Sequence, residues 1–404
     1  MKTDNLILNN YIPKEYIDKK IKKNFSKKIS QILQKIKKEI KDTNKTLNIL
    51  SKSYNFNLKF KNLKNFKKFK TITLIGMGGS ILGSEAIYAF LQGRIKKRIN
   101  FINDLDPEKI KNLKKYKNFN KSLFLIISKS GNTTETLSNF FSLNILKKNA
   151  KNIIVISERK NNYLFNITKK LNLYYIEHKP NIGGRYSVLS EVGMVPAYLM
   201  GLDIYKIREK INQFITGSSQ SYLKDSSIKL ACLLHIKKLN NLIFLNYSPK
   251  FEKFLFWCQQ LIAESLGKKQ KGFLPVISNV PKDHHSLLQL YLDGPKDKIF
   301  HIFNTKQNFK TKIDIKRFGN KNYLSDQNLR TIKNAQQKAL LKTFQEKKIP
   351  FREFQIKKVN EETIGELFSY FILETIIIGE LNKINPYDQP AVELVKTYTK
   401  KILS

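Results

Sequence analysis

From Thr71 onward the chain alternates short β-branched or apolar runs with longer amphipathic stretches. Adjacent parallel strands need a crossover of a dozen or more residues, usually a helix, so this alternation favours a parallel sheet covered by helices on both faces. The runs at 71–75, 99–103, 122–127, 152–156 and 173–176 read as strands of a first unit. A second unit follows, with strands expected at 241–246, 298–303 and 351–356 and helices at 250–266, 284–293, 326–346 and 361–382. Ahead of both, residues 20–52 read as a Lys-rich amphipathic helix packed outside a sheet, with Ile29, Ile32, Leu33, Ile36 and Ile40 at helical spacing. Gly201 and the polar GSSQS stretch interrupt the pattern and place a boundary within 201–220. The expected fold class is therefore α/β: two doubly wound domains with central, mainly parallel sheets flanked by helices. The organisation expected is an N-terminal helical segment (1–55), a first domain (56–210), a second domain (211–383) and a C-terminal helix (384–404). No internal sequence repeat is visible.

Composition narrows the chemistry. At 404 residues and 41% hydrophobic content the chain can fill two cores. No segment approaches the roughly 18 apolar residues of a membrane helix and the N-terminal stretch lacks a signal pattern, so a cytoplasmic chain without a membrane partner is expected. Two cysteines, Cys232 and Cys258, occur without a CxxC or a Cys/His cluster, which supports neither a disulfide framework nor a metal site. The net charge of +42 comes mainly from Lys scattered from end to end alongside abundant Asn, Ile and Phe, a skew that resembles an AT-rich genome. Specific nucleic-acid binding is not expected, because no helix-turn-helix, RNP or zinc-finger pattern accompanies the charge. A basic field would still draw an anionic metabolite toward a cleft.

Two strand-to-helix turns carry the first functional signal. IGMGGSILG (75–83) brings Gly76, Gly78 and Gly79 to a turn that can present backbone N–H groups and Ser80 to an anion or a sugar. Its GxGGS spacing departs from the GxGxxG of dinucleotide folds. ISKSGNTTET (127–136) crowds the hydroxyls of Ser128, Ser130, Thr133, Thr134 and Thr136 around Lys129 at a helix start, a metal-free way to hold a phosphate. Such turns are also ordinary helix caps.

Three further blocks supply reactive side chains. GGRYS (183–187) sets Arg185 between paired glycines and a small hydroxyl, where a guanidinium can meet developing negative charge. WCQQLIAESLGK (257–268) holds one carboxylate, Glu264, in an otherwise apolar and amide-rich helix. An isolated Glu is normally a surface residue, whereas a buried one is costly and has its pKa raised toward that of a base working near neutrality. HHSLLQ (284–289) contributes two of the five histidines, and NPYDQPAVELVK (385–396) ends the chemistry with Gln389 at a helix start and Lys396 within the helix.

Taken in order from Gly76 to Lys396, these blocks closely resemble the phosphoglucose isomerase family, and the two βα turns resemble a sugar-isomerase (SIS-type) domain. The resemblance implies two SIS-type domains, no cofactor and no metal, and interconversion of glucose 6-phosphate and fructose 6-phosphate in glycolysis and gluconeogenesis. It implies that Glu264 moves the proton between C2 and C1, that His285 with Lys396 assists ring opening, and that Arg185 stabilises the enediolate. His285 is preferred to His284 because the family pattern is His followed four positions later by Gln, here Gln289. The resemblance further implies that Ser128, Lys129, Ser130, Thr133 and Thr136 surround the phosphate, that Gly79, Ser80, Gln260 and Gln389 border the sugar, and that a homodimer shares its sites through His285. Departures are small: Tyr186 for the usual Phe, Ser130 for a frequent Thr, and Ala391 and Val395 where Gly is common. A bifunctional glucose/mannose phosphate isomerase and a non-catalytic SIS-type sensor stay open, although a sensor would not need Glu264, His285 or Lys396.

Overall fold

The computed structural model describes residues 1–217, 219–306, 313, 323–325 and 327–403. Its strands, in chain order, are β1 (Leu6–Tyr11), β2 (Thr71–Ile75), β3 (Arg98–Ile102), β4 (Leu123–Ile127), β5 (Ile153–Ser157), β6 (Tyr174–Glu177), β7 (Asn241–Asn246), β8 (Leu274–Asn279), β9 (Lys298–Thr305) and β10 (Phe351–Ile356). The helices of the first half are α1 (Lys19–Lys41), α2 (Leu82–Leu91), α3 (Pro107–Lys114), α4 (Thr134–Ser142), α5 (Tyr163–Leu171), α6 (Glu191–Met200) and α7 (Ile204–Glu209). Those of the second half are α8 (Gln213–Thr216), α9 (Gln220–Ile236), α10 (Glu252–Leu266), α11 (His284–Asp293), α12 (Leu329–Glu346), α13 (Glu361–Leu381) and α14 (Glu393–Leu403).

Two five-stranded sheets result. The first runs β3-β2-β4-β5-β6 and is parallel throughout. The second runs β1-β10-β9-β7-β8, parallel except for β1, which pairs antiparallel with β10. Every residue of β2, β4 and β5 is buried, as a strand covered on both faces requires, and this is why they read as unbroken apolar runs. Their side chains alternate between two cores. Leu123, Leu125 and Ile127 join a central cluster that also takes in Leu242 and Phe244 of the second sheet, while Phe124 and Ile126 face a separate outer cluster. Ile243 and Leu245 do the same on the far side of the second sheet.

Two edge strands depart from the sequence expectation. The N-terminal 1–55 segment is not helical throughout, because Leu6–Tyr11 forms β1. An antiparallel edge strand buries one face only, so Leu6 and Leu8 suffice and LILNNY carries little apolar signal. β8 was hidden by Pro275, which has no N–H to donate and is tolerated because β8 lies at the sheet edge. The helix expected over 20–52 ends at Lys41: the Asn48 amide donates to the Ile40 carbonyl, and Thr46–Leu50 continues as a 3-10 turn. The helix expected from 326 begins at Leu329. Residue 326 lies outside the described residues, as does Ser218 of the GSSQS stretch.

Helix packing puts the two halves in contact. α10 lies against α2 of the first half and against β8 and α13 of the second, so the helix carrying Glu264 runs along the seam between the sheets. α13 is buried over nearly its whole length and crosses α7 at Gly365, where an added Cβ would sit 1.6 Å from the Ile207 carbonyl oxygen. Gly365→Ala is expected to lower stability by about 1–3 kcal/mol or more, read as a lower urea midpoint at unchanged slope.

Candidate active site

In the first sheet the strand order reverses between β2 and β4, so their helical connections leave to opposite sides and the two turns open a crevice at the carboxyl ends of the strands. The two motif turns sit at those ends. Gly78 has φ +50°, and a Cβ there would lie 2.8 Å from Gln260 Nε2. At Gly79 a Cβ would lie 2.2 Å from the Gly184 carbonyl carbon. Only glycine therefore lets α10 and the GGRYS loop, 183–187, close on this turn. Ser80 is partly exposed at its end.

The hydroxyl-rich turn gathers its side chains at the start of α4. Gly131 takes φ +67°, which turns the chain so that the Ser128, Ser130 and Thr133 hydroxyls converge. Thr133 Oγ1 lies 2.9 Å from Ser128 Oγ and 3.3 Å from Ser130 Oγ. Thr133 is the N-cap of α4, yet its side chain makes no capping bond, so it leaves the helix N-terminal amides available along with its hydroxyl. Thr136 Oγ1 is fully buried and has no hydrogen-bond partner among the described residues. Lys129 points its ammonium to the Pro180 carbonyl at 2.8 Å and to Glu158 at 3.6 Å. Burial holds that ammonium below its usual pKa range, against the opposing pull of Glu158.

Arg185 organises the reactive side. It is 2% exposed, and all of its guanidinium nitrogens are engaged. Nε donates to Ser265 Oγ at 2.8 Å, Nη1 to Glu264 Oε2 at 3.0 Å and to Gln389 Oε1 at 2.8 Å, and Nη2 to the carbonyls of Pro386 at 2.6 Å and Asp388 at 3.0 Å. The Tyr186 hydroxyl donates to the Pro386 carbonyl at 2.7 Å and lies 2.9 Å from Ser265 Oγ. Since Tyr186 gives its proton to a carbonyl, Ser265 must donate to Tyr186 while accepting from Arg185, which fixes the direction of the whole chain of bonds. Glu264 Oε1 accepts from Gln260 Nε2 at 2.9 Å, and Gln260 Oε1 is buried without a partner among the described residues.

Glu264 differs from the buried carboxylate that an apolar helix face implied. Its side chain is 33% exposed, and both oxygens are held by donors, so an ion pair and a hydrogen bond take the place of burial in an apolar environment. It opens on a groove of about 1190 Å³ lined by Ala263, Lys268, Leu274, Asp388 and Gln389 among others.

Two expected participants stand apart. His285 is exposed on α11 and forms no hydrogen bond or ion pair with Glu264 or Arg185 among the described residues, while His284 is held 3.3 Å from the Tyr247 hydroxyl. Residues 385–389 do reach Arg185, but the helix that follows does not return to the site. α14 has no buried residue, and Lys396 pairs with Glu393 at 2.7 Å, its side chain 60% exposed. Of the C-terminal segment expected to return to the site, Gln389 reaches Arg185 within one chain while α14 stands clear, and among the described residues nothing covers its apolar face of Val395, Tyr398 and Ile402.

Sequence reasoning missed the supporting residues. Ser265 and Lys268 lie inside the motif that carries Glu264, so their position was visible though their partners were not. Asn162 caps α5 through Phe165 N, donates to the Glu158 carbonyl and packs on Gly131, and it had no signal at all.

Comparison with known proteins adds three findings. The family model of phosphoglucose isomerase matches residues 40–273. A probable glucose-6-phosphate isomerase of Methanococcus maripaludis is 34% identical over 395 residues, covering 94% of this chain and 87% of that protein, and a glucose-6-phosphate isomerase of Campylobacter jejuni is 33% identical over 379, covering 89% and 90%. Among solved structures, a hypothetical protein of Thermus thermophilus superposes with a TM-score of 0.79 at 24% identity over 98% of this chain and 100% of that one. A glucose-6-phosphate isomerase from Chlamydia trachomatis gives 0.71 at 19% over 85% and 71%, and at these identities the two structures speak to the fold.

Proposed function

The chain belongs to the phosphoglucose isomerase family, and from that premise we propose that it interconverts glucose 6-phosphate and fructose 6-phosphate at the seam between its two sheets, as a step of glycolysis and gluconeogenesis. The observation that carries the reading is the contact of Arg185 with both Glu264 and Gln389 beside a turn whose hydroxyls converge at a helix start. The Glu264 carboxylate takes the proton from C2 of the open-chain aldose. The electron pair becomes the C1–C2 double bond, and negative charge gathers on O1, where a guanidinium is worth most. The protonated carboxyl then returns its proton to C1, while the O2 hydroxyl proton is exchanged for one on O1, leaving the ketose. Ser128, Lys129, Ser130, Thr133 and Thr136 hold the phosphate, whose remote binding orients the reacting carbons, with Gly79, Ser80, Gln260 and Gln389 along the sugar. The chemistry is carried by side chains alone. A coupled assay with fructose 6-phosphate tests the reaction directly, and absence of turnover would overturn it.

Ring opening needs an acid near the ring oxygen, and His285 with Lys396 supplies it in this reading. Support for a shared site comes from what one chain leaves open: His285 and the apolar Leu290 exposed on α11, the exposed face of α14, and Leu274 beside the groove. A second copy covering these surfaces would bring its own His285 to the site, and α14 would turn about the residues after Gln389 to present Lys396. A homodimer buries such patches with two-fold symmetry. The cytoplasm is the compartment proposed, consistent with the free thiols of Cys232 and Cys258.

Removing one phosphate contact should be read in binding. Thr133→Val is expected to raise KM for fructose 6-phosphate and weaken competitive inhibition by inorganic phosphate, since one hydrogen bond to a charged group is worth about 1.5–3 kcal/mol. Unchanged KM and unchanged inhibition would place the phosphate elsewhere.

A further inference from the structure

We propose that Lys268 is a positioning residue: with Asp388 it latches the segment 385–389, and through it Gln389 and the root of α14, onto the helix that carries Glu264. The inference rests on the isomerase reading above and names a residue which that reading leaves without a role. Lys268 follows the last residue of α10 by two positions and Glu264 by four. Its ammonium has three protons, and all three are placed on one short segment: the carbonyl of Asn385, the carbonyl of Asp388 at 2.6 Å and Asp388 Oδ1 at 2.8 Å. The other Asp388 oxygen accepts from Asn385 Nδ2 at 2.8 Å, so the carboxylate ties the segment to itself as well as to the lysine. The lysine side chain is 14% exposed, although lysines are rarely held so far from water.

The arrangement divides labour between two cations. The Asp388 carbonyl accepts from both Lys268 and Arg185, and among the described residues the Gln389 side chain is held by Arg185 alone. Tyr186 and Glu39 hold the segment at Pro386 and Tyr387, so without Lys268 it is Asp388 and Gln389, at its far end, that would hang on a guanidinium that has to meet charge developing on the substrate. With Lys268 in place, the Asp388 backbone, and with it the start of α14, stays anchored when Arg185 turns toward the enediolate. The lysine also holds the Asp388 carboxyl below its usual pKa range.

The test compares Lys268→Met, Lys268→Arg, Asp388→Asn and the Met/Asn double variant in the fructose 6-phosphate assay, with amide hydrogen exchange over 385–392 followed on the same full-length proteins. Lys268→Met is expected to lower kcat about 10–100-fold and to speed exchange across 385–392, while inhibition by inorganic phosphate stays within about twofold, because the Lys268 ammonium bonds go to Asn385 and Asp388 and not to the hydroxyl turn. Lys268→Arg should recover most of the loss, and the double variant should be no worse than Lys268→Met, as two halves of one latch are not additive. A Lys268→Met protein with kcat and exchange both near wild type would overturn the latch. So would losses that multiply in the double variant, or a fall in kcat matched by an equal loss of phosphate inhibition, which marks general loosening. If the wild-type chain fails to turn over fructose 6-phosphate, the isomerase reading falls instead, and the exchange measurement still decides whether Lys268 holds the segment.

Discussion

Replacing Glu264 with Gln is expected to lower kcat by roughly 10²–10⁴-fold or more while leaving the fold in place. The amide keeps the volume of the carboxylate but cannot accept a proton from carbon. Its oxygen can still take the Arg185 Nη1 bond, and its NH₂ can face Gln260, whose own amide can flip to offer the oxygen that is now buried without a partner. Arg185 keeps its remaining partners, Ser265, Gln389, Pro386 and Asp388, so it is not left as an isolated buried charge. Isomerisation and exchange of the C2 hydrogen with solvent, measured together, check the assignment. A variant that keeps both rates near wild type would remove Glu264 from the proton-transfer role.

Mixing two inactive chains is expected to restore about a quarter of wild-type activity, if each site takes its histidine from the neighbouring subunit. Glu264→Ala and His285→Ala chains are each nearly inactive alone. After reassortment about half of the dimers are mixed, and by two-fold symmetry each mixed dimer has one of its two sites complete, with Glu264 from one chain and His285 from the other. His285 is exposed and unattached to the Arg185–Glu264 pair of its own chain, which makes the complementation informative. Subunit exchange is verified by mass. Exchange without recovered activity would mean that His285 acts within its own chain or takes no part.

The legible strands were those with strong local reasons to be strands. β2, β4 and β5 are buried on both faces, so their residues are apolar without a break and their boundaries fall within a residue of the sequence reading. β1 and β8 are edges, and an edge needs one apolar face and tolerates Asn or Pro, which erases the signal. The sheets also share the order of their parallel strands, β3-β2-β4-β5 in one and β8-β7-β9-β10 in the other, although no repeat is visible in the chain. Topology is set by which strands pair and by crossover handedness, and many sequences meet those conditions.

At the site, the sequence by itself determined the chemical types: glycines where backbones must approach, hydroxyls at a helix start, and one Arg and one Glu in distinctive settings. Those properties are local, since φ, capping and charge belong to a residue and its neighbours. Which groups meet was decided by the tertiary structure alone. Arg185 reaches Glu264 across 79 residues and Gln389 across 204, and Lys268 finds Asp388 across 120, because α10 is packed on the seam between two sheets and the segment 385–389 returns to its end. The same packing made Glu264 a partly exposed, ion-paired carboxylate rather than a buried one, and it left His285 and Lys396 outside the site of their own chain. Directional bonds and solvent exposure depend on where distant segments pack, and one-dimensional spacing does not encode that.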